Sequence, residues 1–153
     1  MKHSPLQLVR YLAPEISVSA NSSFNPAKPT ESGTEQLVVQ AIVAQQKAPD
    51  NFRGQSWSIE MLITQTFKEG QNFPYTFKLA LVGLFLCHDG KVAKADEERF
   101  VRINGSSILY ATARELVRSL TTLGPWGEVL LPTASFYEDV AVEKKETATA
   151  KTG

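Results

Sequence analysis

The sequence contains very little cysteine and histidine: one cysteine, Cys87, and two histidines, His3 and His88, among 153 residues. A single thiol cannot form an internal disulfide, which favours a reducing, cytoplasmic setting. These residues are also too few to complete an ordinary Cys/His zinc site. We therefore expect neither a structural disulfide nor a bound metal.

The chain also lacks long apolar runs and any excess of one charge. No apolar run approaches the length of about 18 residues that a membrane-spanning helix needs, so no membrane insertion is expected. The first residues, "MKHSPLQLVRYLAPE", lack the apolar core and cleavage site of a signal peptide. Lysine and arginine number 16 against 16 acidic residues, so no basic excess indicates a nucleic-acid partner.

Signatures of common active sites are missing as well. Neither of the phosphate-binding patterns GxxxxGK[ST] and GxGxxG occurs. Cys87, His88 and Asp89 are adjacent, but neighbouring residues of a strand point to opposite faces and cannot converge as a catalytic triad. The acidic run at 96–98 is typical of a solvated surface. We expect a protein that is not an enzyme and has no cofactor.

The sequence does contain a series of strand patterns. "EQLVVQAIVAQQ" is rich in β-branched residues, and "WSIEMLITQTFK" alternates between apolar and polar residues. "EGQN" predicts a hairpin turn before "FPYTFKLALVGLFL", whose second face carries Val82 and Leu84. Because this last strand is apolar on both faces, we expect it to be covered on both, within the domain or by a second subunit.

A helix pattern follows the strands. We expect this helix to begin near Asn104, capped by that residue, Ser106 or Ser107, after a charged connection "HDGKVAKADEERF". Gly124 and Pro125 are expected to end it. Its apolar stripe consists of Leu109, Ala113, Leu116, Leu120 and Leu123. Strands followed by a helix predict an α+β fold with an antiparallel sheet.

The length predicts one domain, which we place at residues 1–140. Residues 141–153 have no apolar face to bury and are expected to form a disordered polar tail.

The segment "ILYATARELVRSLTTLGPWGEVLLPTASF" resembles the final third of the bacterial SecB protein-export chaperones. In that family an "ILFPYARE"-type helix precedes a glycine, an aromatic residue, a short apolar strand and an "LPPVNF"-like segment. Ser135 stands where the family prefers Asn. "LQLVRYLAPEISVSA" and "YTFKLALVGLFLC" resemble the family's first and fourth strands. The matching positions of the final third are Ile108, Leu109, Ala113, Arg114, Glu115, Gly124, Trp126, Leu131, Pro132 and Phe136.

The resemblance implies a four-stranded antiparallel sheet followed by one long and one short carboxyl-terminal helix. It also implies a homotetramer, built as a dimer of dimers with the helices between the sheets. Family members hold unfolded preproteins without ATP or a cofactor and pass them to the Sec translocase motor ATPase. The residues expected at the subunit interfaces are Leu109, Leu116, Leu120, Val82 and Leu84.

A chaperone that holds many sequences needs apolar grooves with aromatic walls and exposed backbone for strand-like pairing. Phe24, Trp126, Phe136 and Tyr137 are our candidates for client-binding residues. Phe24 is the strongest of them because it lies in a polar loop. Trp126 and Phe136 can equally belong to the chain's own core, since large aromatic side chains are mostly buried.

The chain departs from the family in charge. SecB chaperones are typically acidic, and their acidic sheet residues contact the motor's zinc-binding tail. Glu15 falls at one such position, but Ser19 and Lys78 replace two others, and Lys78 would repel a basic tail. The loop near Phe24 also lacks the family's tryptophan.

Three functions therefore remain open at the level of sequence. The first is a holdase that keeps preproteins competent for Sec export. The second is a SecB-like chaperone dedicated to one client, such as the antitoxin of a toxin–antitoxin pair. The third is an oligomeric enzyme or ligand-binding protein whose site the sequence does not display.

Overall fold

The computed structural model describes residues 1–30 and 37–137. Four strands precede one helix, and the sheet is antiparallel with the order β1-β4-β3-β2, so β1 and β2 form its two edges. This confirms the predicted α+β class and the four-stranded antiparallel sheet. The expected shorter helix and the tail 141–153 lie outside the described residues. The elements are β1 (Leu6–Ala20), β2 (Leu37–Gln46), β3 (Gly54–Gln65), β4 (Tyr75–His88) and α1 (Lys94–Thr122).

The core lies between α1 and one face of the sheet. Alternate residues of β3 and β4 point toward α1, as the period of a strand requires. The fully buried ones include Ile59, Ile63, Leu79 and Phe85. On the second face no described element covers the sheet, and Val82 and Leu84 of β4 are half-buried there.

Two glycines allow the helix to approach the sheet closely. A Cβ atom on Gly105 of α1 would lie 2.5 Å from Cδ1 of Ile59, and one on Gly83 of β4 would lie 3.2 Å from Cδ1 of Leu109. Both distances are shorter than ordinary van der Waals contact. The absence of side chains at these points therefore sets how deeply α1 packs onto the sheet.

The helix begins about three turns before the predicted start, at Lys94 rather than near Asn104. The second half of the expected charged connection, from Lys94 onward, forms its first turns, where the negative charges of Asp96 and Glu97 interact favourably with the positive end of the helix dipole. Glu98 and Arg102 form an i,i+4 ion pair of 3.0 Å. The prediction of the start was wrong because glutamate, arginine and lysine are good helix formers as well as surface residues.

The predicted end of the helix is confirmed. Helix α1 ends at Thr122, and Leu123 is its C-cap, directly before Gly124 and Pro125. Within the described ranges no helix is long and apolar enough to cross a membrane.

Edge strand β1 pairs irregularly with β4 at two points. The register with β4 shifts between Leu8 and Arg10 and again between Leu12 and Glu15. The second shift surrounds Pro14, which has no backbone N–H to donate and is tolerated because β1 is an edge strand.

Candidate functional site

The segment that follows α1 runs back along the helix. The backbone N–H of Val129 donates to the Thr121 hydroxyl at 2.8 Å, near the end of α1. Further along, the Tyr110 hydroxyl donates to the carbonyl of Pro132 at 2.8 Å. The segment from 128 to 137 is therefore fixed against the side of the helix.

The last two aromatic residues of this segment have different surroundings. Phe136 is buried, and its ring packs edge-on against Tyr110 with ring centroids 5.8 Å apart. Tyr137 is exposed, and the guanidinium of Arg99 lies 5.4 Å from the centre of its ring. Phe136 thus contributes to the core of its own chain, whereas Tyr137 remains on the surface.

A groove of about 480 Å³ lies between edge strand β2 and helix α1. We call it the β2 groove. Buried Phe136 forms part of its lining, whereas the side chain of Ile42 lies on the other face of β2 with 65% of its surface exposed. The buried Ser106 hydroxyl makes no hydrogen bond with any residue of the described ranges. The lining residues are Val39, Gln40, Ala41, Ile42, Arg102, Ser106 and Phe136.

The β2 groove has the features that suit an extended polypeptide. Strand β2 pairs with β3 along one side only. On its other side no strand of residues 1–30 or 37–137 pairs with it, so its backbone N–H and C=O groups there can bind an added strand regardless of sequence. Ile42 and Ala41 offer apolar contacts on the two faces of such an added strand.

Phe24 and Trp126 form a separate aromatic pair. Their ring centroids lie 5.4 Å apart in an edge-on arrangement, and both side chains are half-buried. The indole N–H of Trp126 donates to the carbonyl of Asn21 at 3.0 Å, and its backbone N–H donates to the Tyr75 hydroxyl at 3.0 Å. Neither residue lines the β2 groove. The four aromatic residues chosen from the sequence are therefore not brought together at one site.

The five predicted interface residues also have different surroundings. Leu109 is fully buried in the core of its own chain, over Gly83. Leu116 and Leu120 are half-buried on the helix. Their role in an oligomer, like that of Val82 and Leu84 on the uncovered face of the sheet, stays a prediction.

Glu15, the predicted contact for the translocase motor, already has a basic partner. Its carboxylate lies 3.1 Å from Nζ of Lys78, and both side chains are about half-exposed. Because Lys78 neutralises the charge of Glu15, a basic ligand would be attracted only weakly to this part of the sheet. Ser19, on the same strand, is exposed and uncharged.

Cys87, His88 and Asp89 do not converge. Cys87 is fully buried, and its pKa is raised from 9.0 to about 11, first by burial and then by the nearby charge of Glu97. His88 is exposed, with its ring 5.0 Å from that of Phe52. The expected divergence of the two side chains is confirmed, and the thiol stays protonated and unreactive at neutral pH.

None of the β2 and α1 residues that line the β2 groove was predicted from the sequence as a binding residue. "LVVQAIVAQQ" carries an apolar residue, Ile42, on the face opposite Val39 and Ala41. That pattern could have marked the strand as a binding edge, but only the strand order shows that β2 is an edge. Ser106 was chosen only as a helix cap.

No family model and no curated protein matches the chain. Among solved structures, a protein of unknown function from Streptococcus agalactiae is similar with a TM-score of 0.54 and 9% identity, covering 83% of this chain and 96% of that one. The Mycobacterium tuberculosis SecB-like chaperone Rv1957, solved with a ChAD peptide from the Rv1956 HigA1 antitoxin, is similar with a TM-score of 0.50 and 16% identity. That match covers 85% of this chain and 91% of the chaperone. The four-stranded antiparallel sheet and long helix of this chain are thus those of a SecB-like fold.

Proposed function

We propose that this chain is an ATP-independent chaperone that holds an unfolded segment of a client protein in the β2 groove. The observation that carries the proposal is the groove itself. It combines a strand edge that pairs with no other described strand, a partly apolar lining and an exposed branched side chain, Ile42.

The groove can supply affinity in two ways. Backbone hydrogen bonds along β2 bind any extended client, and contacts with Ile42 and Ala41 on the two faces of the added strand select for apolar residues. Apolar burial contributes about 25 cal/mol for each Å² removed from water. No nucleotide is needed, because the binding is the pairing of two strands.

A role dedicated to one client is better supported than a role in Sec export. The SecB-like chaperone of Mycobacterium tuberculosis was solved with a peptide from an antitoxin, and its fold is similar to this one. The Glu15–Lys78 ion pair and the balanced total charge argue against docking to a basic motor tail. We therefore propose a protein client of the antitoxin kind.

The homotetramer and the cytoplasmic location are parts of the same proposal. Half-buried Leu116 and Leu120 on α1, and Val82 and Leu84 on the sheet, give the chain apolar surface for a second subunit. Light scattering tests this directly, and a stable monomer at micromolar concentration would remove the tetramer from the proposal. The buried single thiol of Cys87 suits a reducing compartment.

Suppression of aggregation is the decisive experiment. The purified protein should keep a chemically denatured client in solution without ATP, in proportion to the amount added. A protein that leaves the aggregation of every client unchanged is not a holdase. Titrations with an antitoxin-derived peptide, an unfolded preprotein and the zinc-binding peptide of the motor separate the dedicated role from the export role.

A further inference from the structure

At one end of the sheet, three distant parts of the chain form a groove of about 870 Å³ with a basic lining. We call it the basic groove. It lies within the size range of known ligand pockets, about 300 to 1,000 Å³. Both histidines of the chain line it. Its charged and titratable residues are Lys2, His3, Arg53, His88, Asp89 and Lys91.

The backbone fixes these parts of the chain against one another. The N–H of His88 donates to the carbonyl of Pro5 at 3.0 Å, and the N–H of Asp89 donates to the carbonyl of Arg53 at 3.1 Å. Gly54, next to Arg53, has a φ of +146°, and a Cβ atom there would collide with the carbonyl oxygen of Cys87. Only glycine lets the start of β3 approach the end of β4 this closely. The base of the groove is therefore built before any ligand arrives.

The positive charge of the groove is not neutralised from within. Lys2, Arg53 and Lys91 form no ion pair with any residue in the described part of the chain. Asp89 is the one acidic residue in the lining. In a chain whose total charge is zero, this is a local excess of positive charge around one groove.

We propose that the basic groove binds a carboxylate-rich segment of a partner polypeptide. The groove holds three permanently basic residues and one acidic one, which is too short a basic surface to follow a nucleic-acid backbone. Single-stranded nucleic acids are also held by stacking on exposed aromatic rings, and here the His88 ring packs against Phe52 instead. Separate lysine and arginine side chains around a short groove suit the carboxylates of a few successive acidic residues.

This site is separate from the β2 groove, since the two share no lining residue. The proposal therefore does not depend on chaperone activity. An acidic segment can bind here whether or not an apolar segment binds along β2.

The test is a direct titration. A fluorescein-labelled oligoglutamate peptide is added to the full-length protein, and anisotropy is followed from about 50 to about 300 mM NaCl. The variant Arg53→Glu/Lys91→Glu reverses two groove charges. Lys28→Glu/Lys68→Glu is the matched control, because both lysines are exposed, carry the same charge change and do not line the groove.

The unaltered protein should bind oligoglutamate with an affinity that falls steeply as salt rises. Charge reversal in the groove should weaken binding about tenfold or more, since the attraction at two positions is replaced by repulsion. The control should change by less than about twofold. Urea unfolding of each variant checks that these exposed substitutions leave the fold intact, and Lys2→Glu/Lys91→Gln repeats the test if the first variant fails to fold.

Three results would overturn the proposal. The first is the absence of binding at low salt. The second is an equal loss of affinity in the groove variant and the control, which would indicate total charge rather than a site. The third is displacement of oligoglutamate by an equal concentration of oligothymidylate, which would make the groove a nucleic-acid site.

Discussion

Replacing Ile42 by aspartate tests the β2 groove at its most exposed apolar residue. Ile42 lies on an edge strand and is 65% exposed, so only about a third of its surface is buried within its own chain. Full burial of such a side chain contributes about 1.5 to 3 kcal/mol, so Ile42→Asp removes about 0.5 to 1 kcal/mol of that. The lower strand propensity of aspartate removes up to about 1 kcal/mol more. The fold should therefore survive the substitution.

Client binding should be weakened measurably although the protein stays folded. A strand paired with β2 would place one of its residues opposite position 42, where apolar cross-strand pairs contribute about 0.2 to 1 kcal/mol. A carboxylate there also loses water as the client binds. We expect the dissociation constant for a permanently unfolded client to rise about tenfold or more, measured by anisotropy.

Two control variants separate the possible causes of weaker client binding by Ile42→Asp. Ile42→Thr keeps a β-branched, uncharged residue and should weaken binding only about two- to fivefold. Val9→Asp introduces the same charge on the opposite edge strand, at a residue that is 61% exposed. Light scattering of each variant ensures that affinities are compared between assemblies of equal mass. The reasoning is refuted if Ile42→Asp binds the client as tightly as the unaltered protein while urea unfolding shows it to be folded.

The remaining predictions concern Phe24, helix packing and the buried thiol. Phe24→Ala tests a client contact at the Phe24–Trp126 pair, apart from the β2 groove: it should reduce suppression of client aggregation while lowering the free energy of unfolding by only about 1 to 2 kcal/mol, because the ring is half-buried. Unchanged suppression would leave Phe24 without a client role, and complete unfolding would place it in the core. Gly105→Ala should lower the free energy of unfolding in urea by about 1 to 2 kcal/mol, because the clash with fully buried Ile59 outweighs the gain in helix propensity. A variant more stable than the unaltered protein would contradict the close packing of α1 on the sheet. Cys87 should resist alkylation at about pH 8 until urea unfolds the chain, and rapid labelling of the folded protein would show an accessible thiol. Folding raises the pKa of the Cys87 thiol from 9.0 to about 11. Between these two pH values the thiol ionises in the unfolded chain but not in the folded one, so the free energy of unfolding should fall as the pH rises. Cys87→Ala should lack this part of the decrease.

Much of the fold follows from local patterns in the sequence. The alternation around Ile59 and Ile63 places both residues in the core, because successive strand residues point to opposite faces. Gly124 and Pro125 mark the end of α1 because proline cannot continue a helix. The start of α1 was not predicted because a charged run is compatible with both a surface loop and a helix. Glu97 of that run turned inward, where its carboxylate accepts the indole N–H of Trp57 at 2.8 Å.

Local sequence patterns were enough to predict the strands and the end of α1, and they carried the resemblance to an export chaperone. The strand order, and with it the position of Ile42 on an edge strand beside a groove, became visible only in the folded chain. The tertiary structure alone separated Phe24 from Phe136 and brought Lys2, Arg53 and Lys91 to one place. The physical reason is that side-chain periodicity is local, whereas strand order and the joining of distant loops depend on packing across the whole sheet.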